Sequence, residues 1–188
     1  METYSYTNTG CDKVFFCSDT HFWHKNILKY EPVNRPFKDV FEMNEQMISR
    51  WNSVVGENDL VFHLGDFCFG GQDKVMELVS RLNGKIVLIL GNHDRDRSKN
   101  WWLGCGFHDV ISGTIVIDGK FILSHEPIGE DEIQGTIPEG MVNLYGHVHG
   151  NPRFNSIDSN RMCVCVERWN CTPISFDFIK EQFKNDPF

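Results

Sequence analysis

Ile86-Val87-Leu88-Ile89-Leu90-Gly91-Asn92-His93-Asp94 decides the fold. Its first five residues form an unbroken apolar run, the pattern of a strand buried on both faces. The chain then turns at Gly91 and presents an amide, an imidazole and a carboxylate in succession. Asn, His and Asp are poor strand formers. Open α/β sheets hold their ligands at the carboxyl ends of strands. The stretch reads as a core strand followed by a loop built for chemistry.

The same pattern recurs on either side. Lys13 to Ser18 reads as a strand ending at Asp19-Thr20-His21, and Leu60 to Leu64 as one ending at Gly65-Asp66. Between them a short helix is expected over Trp23 to Tyr30, then a loop punctuated by Pro32 and Pro36. An amphipathic helix is expected over Phe41 to Val55, where Phe41, Met43, Met47, Ile48, Trp51 and Val55 recur at spacings of three and four. A third helix fits Asp73 to Leu82, closed by Asn83-Gly84. Residues 95–102 read as loop and short helix. Val110 to Ile117, Phe121 to Ser124, Val142 to Tyr145 and Met162 to Val166 read as strands. Pro173 to Lys184 reads as a closing strand and helix. Gly129 to Glu139, with Glu130-Asp131-Glu132, reads as a solvated acidic loop. The whole chain, 1–188, is expected to form one α/β domain with helices packed outside two sheets.

Composition narrows the function. Apolar content of 40% and charged content of 23% are those of an ordinary soluble protein. No apolar run approaches the length of a membrane span, and the first residues lack the basic-then-apolar character of a signal peptide, so a cytoplasmic location is expected. The seven cysteines are odd in number and include no C-x-x-C pair, which argues for reduced thiols over disulfides or structural zinc. A formal charge of −8 argues against a long nucleic-acid duplex as partner. It still permits a small anionic substrate, because an acidic cluster can hold cations that in turn hold phosphate.

Five polar clusters follow the expected strands: Asp19-x-His21, Gly65-Asp66, Gly91-Asn92-His93-Asp94, Ser124-His125 and Gly146-His147-Val148-His149. They hold five of the eight histidines, leaving out His24, His63 and His108. Carboxylate, imidazole and amide without a required thiolate suit hard or borderline divalent metals. In an extended segment, residues i and i+2 share a face, so Asp19 and His21 could reach one ion. His147 and His149 could do the same, or straddle two adjacent ions. Each fragment is common in isolation, and the ordered set is what carries weight.

This order of motifs, from about residue 13 to residue 150, resembles the calcineurin-like metallophosphoesterase superfamily. The surroundings resemble its small bacterial and phage members. The similar stretches are Ser18 to Ile27, Arg35-Pro36-Phe37, Trp51 to Gly56, His63 to Phe67, and a tail of Val166-Glu167-Arg168-Trp169-Asn170 with Pro173-Ile174-Ser175. The resemblance implies a four-layer α/β/β/α sandwich of two mixed sheets flanked by helices, with a two-metal site at one edge. By that likeness Asp19, His21 and His149 would hold one metal, Asn92, His125 and His147 the other, and Asp66 would bridge them. His93 would stand near the leaving group. Mn²⁺ is the first choice of metal, with Fe²⁺, Zn²⁺ or Ni²⁺ as alternatives.

The implied reaction is hydrolysis of a small phosphate ester, foremost a phosphodiester of a nucleotide or cyclic nucleotide. Two cations about 3.5–4 Å apart would activate a bridging hydroxide for in-line attack, with His93 as general acid. Phosphomonoester hydrolysis, a nuclease activity and a non-catalytic scaffold on the same fold are the alternatives. The protein-phosphatase branch carries an Asp-Arg pair shortly after Gly-Asp. Here Phe67-Cys68-Phe69-Gly70-Gly71 follows instead, which weakens a phosphoprotein substrate and suggests an apolar wall with a flexible loop. Asp94 has no assigned role. His24, expected on a helix surface, Phe69, as a stacking face for a base, and Arg95, as a phosphate contact, are candidate substrate residues. His63 is expected in the core or just behind the ligands, and Trp101-Trp102 as buried packing, an interface or a pocket lid.

Overall fold

A computed structural model describes residues 2–6, 10–129 and 135–184. The acidic stretch Glu130-Asp131-Glu132 lies outside them. In chain order the first half runs β1 (Glu2–Thr3), β2 (Val14–Cys17), α1 (Ile27–Tyr30), α2 (Val40–Val54), β3 (Leu60–His63), α3 (Gln72–Arg81), β4 (Lys85–Ile89) and α4 (Lys99–Gly104). The second half runs β5 (Asp109–Ile111), β6 (Ile115–Ile117), β7 (Phe121–Ser124), β8 (Val142–Tyr145), β9 (Ile157–Asp158), β10 (Arg161–Cys163), a 3-10 turn over Val166–Trp169, β11 (Ile174–Ser175) and α5 (Phe176–Gln182).

Two mixed sheets result, flanked by helices. One has the order β11-β2-β3-β4-β5, the other β1-β6-β7-β8-β10-β9. Alternate residues of each strand serve the two faces of its sheet. Phe15, Cys17, Val61, Ile86 and Leu88 pack against Met43, Met47, Trp51, Val75, Leu78 and Trp102 of the helices. Phe16, Phe62, Val87 and Ile89 face the other sheet, where Ile117, Leu123, Leu144 and Met162 close the core between them. α2 shows how local sequence sets an element. Asp39 caps it by accepting the Glu42 amide at 2.8 Å, and Glu42 reaches back to the Lys38 amide at 2.7 Å. No helix among the described residues is long and apolar enough to cross a membrane.

Several expected elements are corrected. The run Val110 to Ile117 is two strands in different sheets, because Gly113 takes a left-handed backbone (φ +93°) and redirects the chain. The helix expected from Trp23 begins only at Ile27, since Trp23 is itself left-handed (φ 64°). Met162 to Val166 ends its strand at Cys163 and tightens into the 3-10 turn. Trp101 and Trp102 lie on α4, with Trp102 fully buried, which leaves packing as its role.

The parallel strands β2, β3 and β4 of one sheet and β7, β8 and β10 of the other all end near one edge of the sandwich. An isolated parallel bridge between Ser18 and Cys165 ties the sheets together there. Five of those six strand ends carry the polar clusters, and β10 is followed by Glu167.

Candidate metal centre

Two groups of side chains converge at this edge. Asp19, His21 and His149 form one, and Asp19, Asp66 and His125 also lie within ligand reach of one another. His21 Nε2 is 3.8 Å from Asp19 Oδ1 and 3.5 Å from Asp66 Oδ2, while His149 Nε2 is 3.6 Å from Asp19 Oδ1. On the far side of Asp66, its Oδ1 is 3.6 Å from His125 Nε2. Asn92 Oδ1 is 2.8 Å from His125 Nε2 and 3.1 Å from His147 Nδ1, and those two nitrogens are 3.2 Å apart. Asp66 thus turns one oxygen toward each group. His147 and His149 do not share a face: they diverge, one to each group.

These residues fit divalent cations. Asp19 Oδ1 and His21 Nε2 are buried without a hydrogen-bond partner, a costly state that an ion would relieve. His125 Nδ1 is 2.7 Å from the Leu64 carbonyl oxygen, which can only accept, so Nδ1 carries the proton and Nε2 faces the group bare. Three potential ligand atoms, Asn92 Oδ1, His125 Nε2 and His147 Nδ1, then stand 2.8–3.2 Å apart. That is the separation of neighbouring ligands around an ion with bonds of about 2.1 Å.

The backbone is bent to the task. Asp19, His21, Asp66, His147 and His149 all sit at positive φ, between 48° and 68°. Left-handed backbone at non-glycine residues costs on the order of 1–3 kcal/mol each and collects at functional sites. Asp19 and His21 therefore converge through left-handed turns and not through the expected extended segment. Glycines supply the remaining closeness. A Cβ on Gly91 would lie 2.6 Å from the Asp66 amide and overlap its Oδ1, and one on Gly146 would lie 2.6 Å from Asp19 Oδ2.

Charges are strongly biased by burial. Burial alone would raise the Asp19 carboxyl, but His21, His149 and His125 hold it well below the usual range. Burial pulls His21 down despite Asp19. At His149 burial is outweighed by the Glu167 hydrogen bond and the Asp19 charge, which take the ring up to about 9. His24 is pushed down to about 4 by burial and neighbouring imidazoles.

The candidate substrate residues are placed unequally. His93 is half-exposed on the rim with Nε2 4.0 Å from Asp66 Oδ2. Phe69 stacks on His24 at 4.0 Å between ring centroids and lies 5.3 Å from His21 and 5.0 Å from His93. The ring is 39% exposed, so it forms a wall of the site. Phe67 belongs to the core instead, fully buried, which corrects the expectation of a two-phenylalanine wall. His24 lies on the left-handed turn before α1 and not on a helix surface. Arg95 is paired with Glu126 at 3.2 Å. His63 is buried against Thr20.

Three supporting residues had no role in the sequence. Asp94 is buried beneath the loops and accepts the amides of Asp66, Gly91 and Phe67, with the Trp102 indole closing its carbonyl at 3.2 Å. Burial and the Asp66 charge push it up to about 6 against those donors. Arg35 and Glu167 form a buried pair behind Asp19 and His149. Glu167 had a signal, since it too follows a strand at the active edge.

The sequence profile of the calcineurin-like phosphoesterase family matches residues 12–170. The chain belongs to this family. Among relatives, an uncharacterized protein of Methanocaldococcus jannaschii, MJ1445, is 37% identical over 179 residues, covering 89% of each chain. The gene 66 protein of Mycobacterium phage D29 is 28% identical over 84% of this chain and 89% of its own. A crystal structure of a protein of unknown function from Aquifex aeolicus, AQ665, superposes with a TM-score of 0.71 at 27% identity, covering 91% of this chain and 99% of that one. The two mixed sheets with flanking helices are thus the fold of calcineurin-like phosphoesterases, a family that uses divalent metals, and the edge cluster holds groups that could bind such an ion.

Proposed function

We propose that this family member is a phosphodiesterase acting on a small nucleotide-like diester, with Asp19, His21 and His149 holding one divalent cation, Asn92, His125 and His147 a second, and Asp66 shared. The observation that carries the reading is the placement of Asp66, one oxygen toward each donor group. Bound cations, Mn²⁺ foremost, would supply Lewis-acid charge for the phosphoryl oxygens and an activated water.

The protein's own groups do the rest. His93 stands at the rim with Nε2 turned toward the centre, where it can hand a proton to a departing alkoxide. Phe69 offers a ring face to an aromatic group attached to the phosphate. His24 stacks on that ring at 4.0 Å, and His21 and His93 lie 5.3 and 5.0 Å from it, yet the residue keeps 39% of its surface exposed. The arginines nearby are committed: Arg35 to Glu167 and Arg95 to Glu126. With both of these guanidiniums already paired, the described site suits the single charge of a diester better than the double charge of a monoester.

The test is Mn²⁺-dependent hydrolysis of bis(p-nitrophenyl) phosphate beside p-nitrophenyl phosphate, with Asp66→Asn as control. Diester turnover lost in the variant is expected. Turnover confined to the monoester would overturn the diester preference, and silence on both with metal bound would overturn the hydrolase reading.

A further inference from the structure

His149 is held from three directions. Glu167, on the 3-10 turn after β10, places Oε1 2.9 Å from His149 Nδ1. The next residue, Arg168, donates Nε to the His149 carbonyl at 2.8 Å and its other nitrogens to the carbonyls of Asn151 and Phe154 at 2.9 and 3.0 Å. Glu31 takes the Gly150 amide at 3.3 Å. Behind Glu167 stands Arg35, with no exposed side-chain surface. Its Nε and Nη2 both reach Glu167 Oε1, Nη1 donates to the Thr20 carbonyl at 2.8 Å, and Nη2 donates to the Asp19 carbonyl.

A carboxylate only accepts, so the proton of the neutral His149 ring sits on Nδ1 and the bare Nε2 is the atom 3.6 Å from Asp19 Oδ1. Arg35 meanwhile braces the two carbonyls of the left-handed turn that carries Asp19. A buried ion pair is a weak source of stability compared with an apolar pair of the same volume, so fold stability alone does not account for it. Carboxylates behind histidine ligands set tautomer, ring direction and basicity. We propose that Glu167 and Arg35 are positioning residues for the Asp19–His21–His149 group, acting through His149 and the Asp19 turn to set that group's affinity for a divalent cation. The inference rests on the reading of this group as metal ligands.

Zinc serves as the probe, on the full chain. Titration should give two binding events in the wild type. Glu167→Gln should weaken one by about 10–100-fold and leave the other unchanged. In a His149→Ala background, Glu167→Gln should cost markedly less, because the route through His149 is gone and only the one through Arg35 and the Asp19 turn remains. An equal loss in both backgrounds, or a loss shared by both sites, would make Glu167 merely structural and overturn the proposal. If His149→Ala leaves both zinc affinities intact, the ligand reading itself falls. Long-range ¹⁵N–¹H NMR of the zinc-loaded wild type needs no substitution: it should show His149 protonated at Nδ1 and metal-shifted at Nε2. Coordination through Nδ1 would overturn the relay.

Discussion

Asp94 Oδ2 accepts the backbone amide of Asp66 at 2.7 Å, so one buried carboxylate carries the turn on which the proposed shared ligand rides. The same oxygen takes the Gly91 amide at 3.0 Å and Oδ1 takes the Phe67 amide at 3.2 Å. Two loops from neighbouring strands are thereby locked to each other. Asp94→Ala leaves three buried amides unanswered, each worth about 1–3 kcal/mol, and is expected to lower the unfolding free energy by several kcal/mol. Asp94→Asn, which keeps one carbonyl oxygen, should lose roughly half as much. Urea denaturation of both variants checks the order, and equal stability of the two would refute it.

Two glycines beside the proposed ligands admit no side chain. Gly91→Ala would drive Cβ into Asp66, and Gly146→Ala would drive it into Asp19 and Ser18. Both variants are expected to lose metal affinity tenfold or more (about 1.4 kcal/mol) while keeping the circular-dichroism spectrum of the parent. Gly71→Ala, where a Cβ meets nothing within 4 Å, is the neutral control. Manganese titration followed by electron paramagnetic resonance reads the effect.

His63 predicts acid sensitivity. Thr20 Oγ1 spends its proton on the Phe67 carbonyl at 2.8 Å, so it accepts from His63 Nε2 at 2.9 Å and the ring is neutral. Burial lowers its pKa to about 3, below the ordinary 6.5. The unfolded chain therefore takes up a proton below pH 6.5 that the folded chain refuses until about pH 3. Stability from this residue is intact above pH 6.5 and falls by up to about 1.4 kcal/mol per pH unit as pH drops through that window. His63→Gln, which keeps a donor for Thr20, should flatten the curve between pH 6.5 and 4. Parallel stability curves for parent and variant would rule the assignment out.

His93→Ala should keep its metals and lose activity according to leaving group. A p-nitrophenolate departs without help, while an alkoxide needs the proton. The loss is expected to be about 10²–10⁴-fold on an alkyl or nucleoside ester and much smaller on the p-nitrophenyl diester. Equal losses on the two substrates would remove His93 from the acid role.

Phe69→Ala should raise KM for diesters that carry a base and leave kcat nearly unchanged. One base stacked on an aromatic ring is worth about 1–3 kcal/mol, so the KM change should be roughly 5–160-fold. A methyl p-nitrophenyl diester should respond little. A matching KM increase for that small diester would show that the ring packs the site and does not hold a base.

The sequence by itself determined the strand ends. Each polar cluster follows a short apolar run, and both patterns are local, so the seven proposed ligands and His93 were legible from spacing and likeness. Element edges were less legible where a left-handed residue overrode propensity, as at Trp23, or where one glycine split an apolar run, as at Gly113. Arg35, Asp94 and Glu167 show what only the tertiary structure decided. Arg35 and Glu167 are 132 positions apart, and Asp94 answers amides 27 and 28 positions away. No period or propensity links such residues, because their meeting depends on how two sheets stack and where each chain turns. Spacing alone left open whether His147 and His149 share a face, and only likeness put them on opposite sides of Asp66, because the split turns on left-handed dihedrals that the surrounding packing imposes.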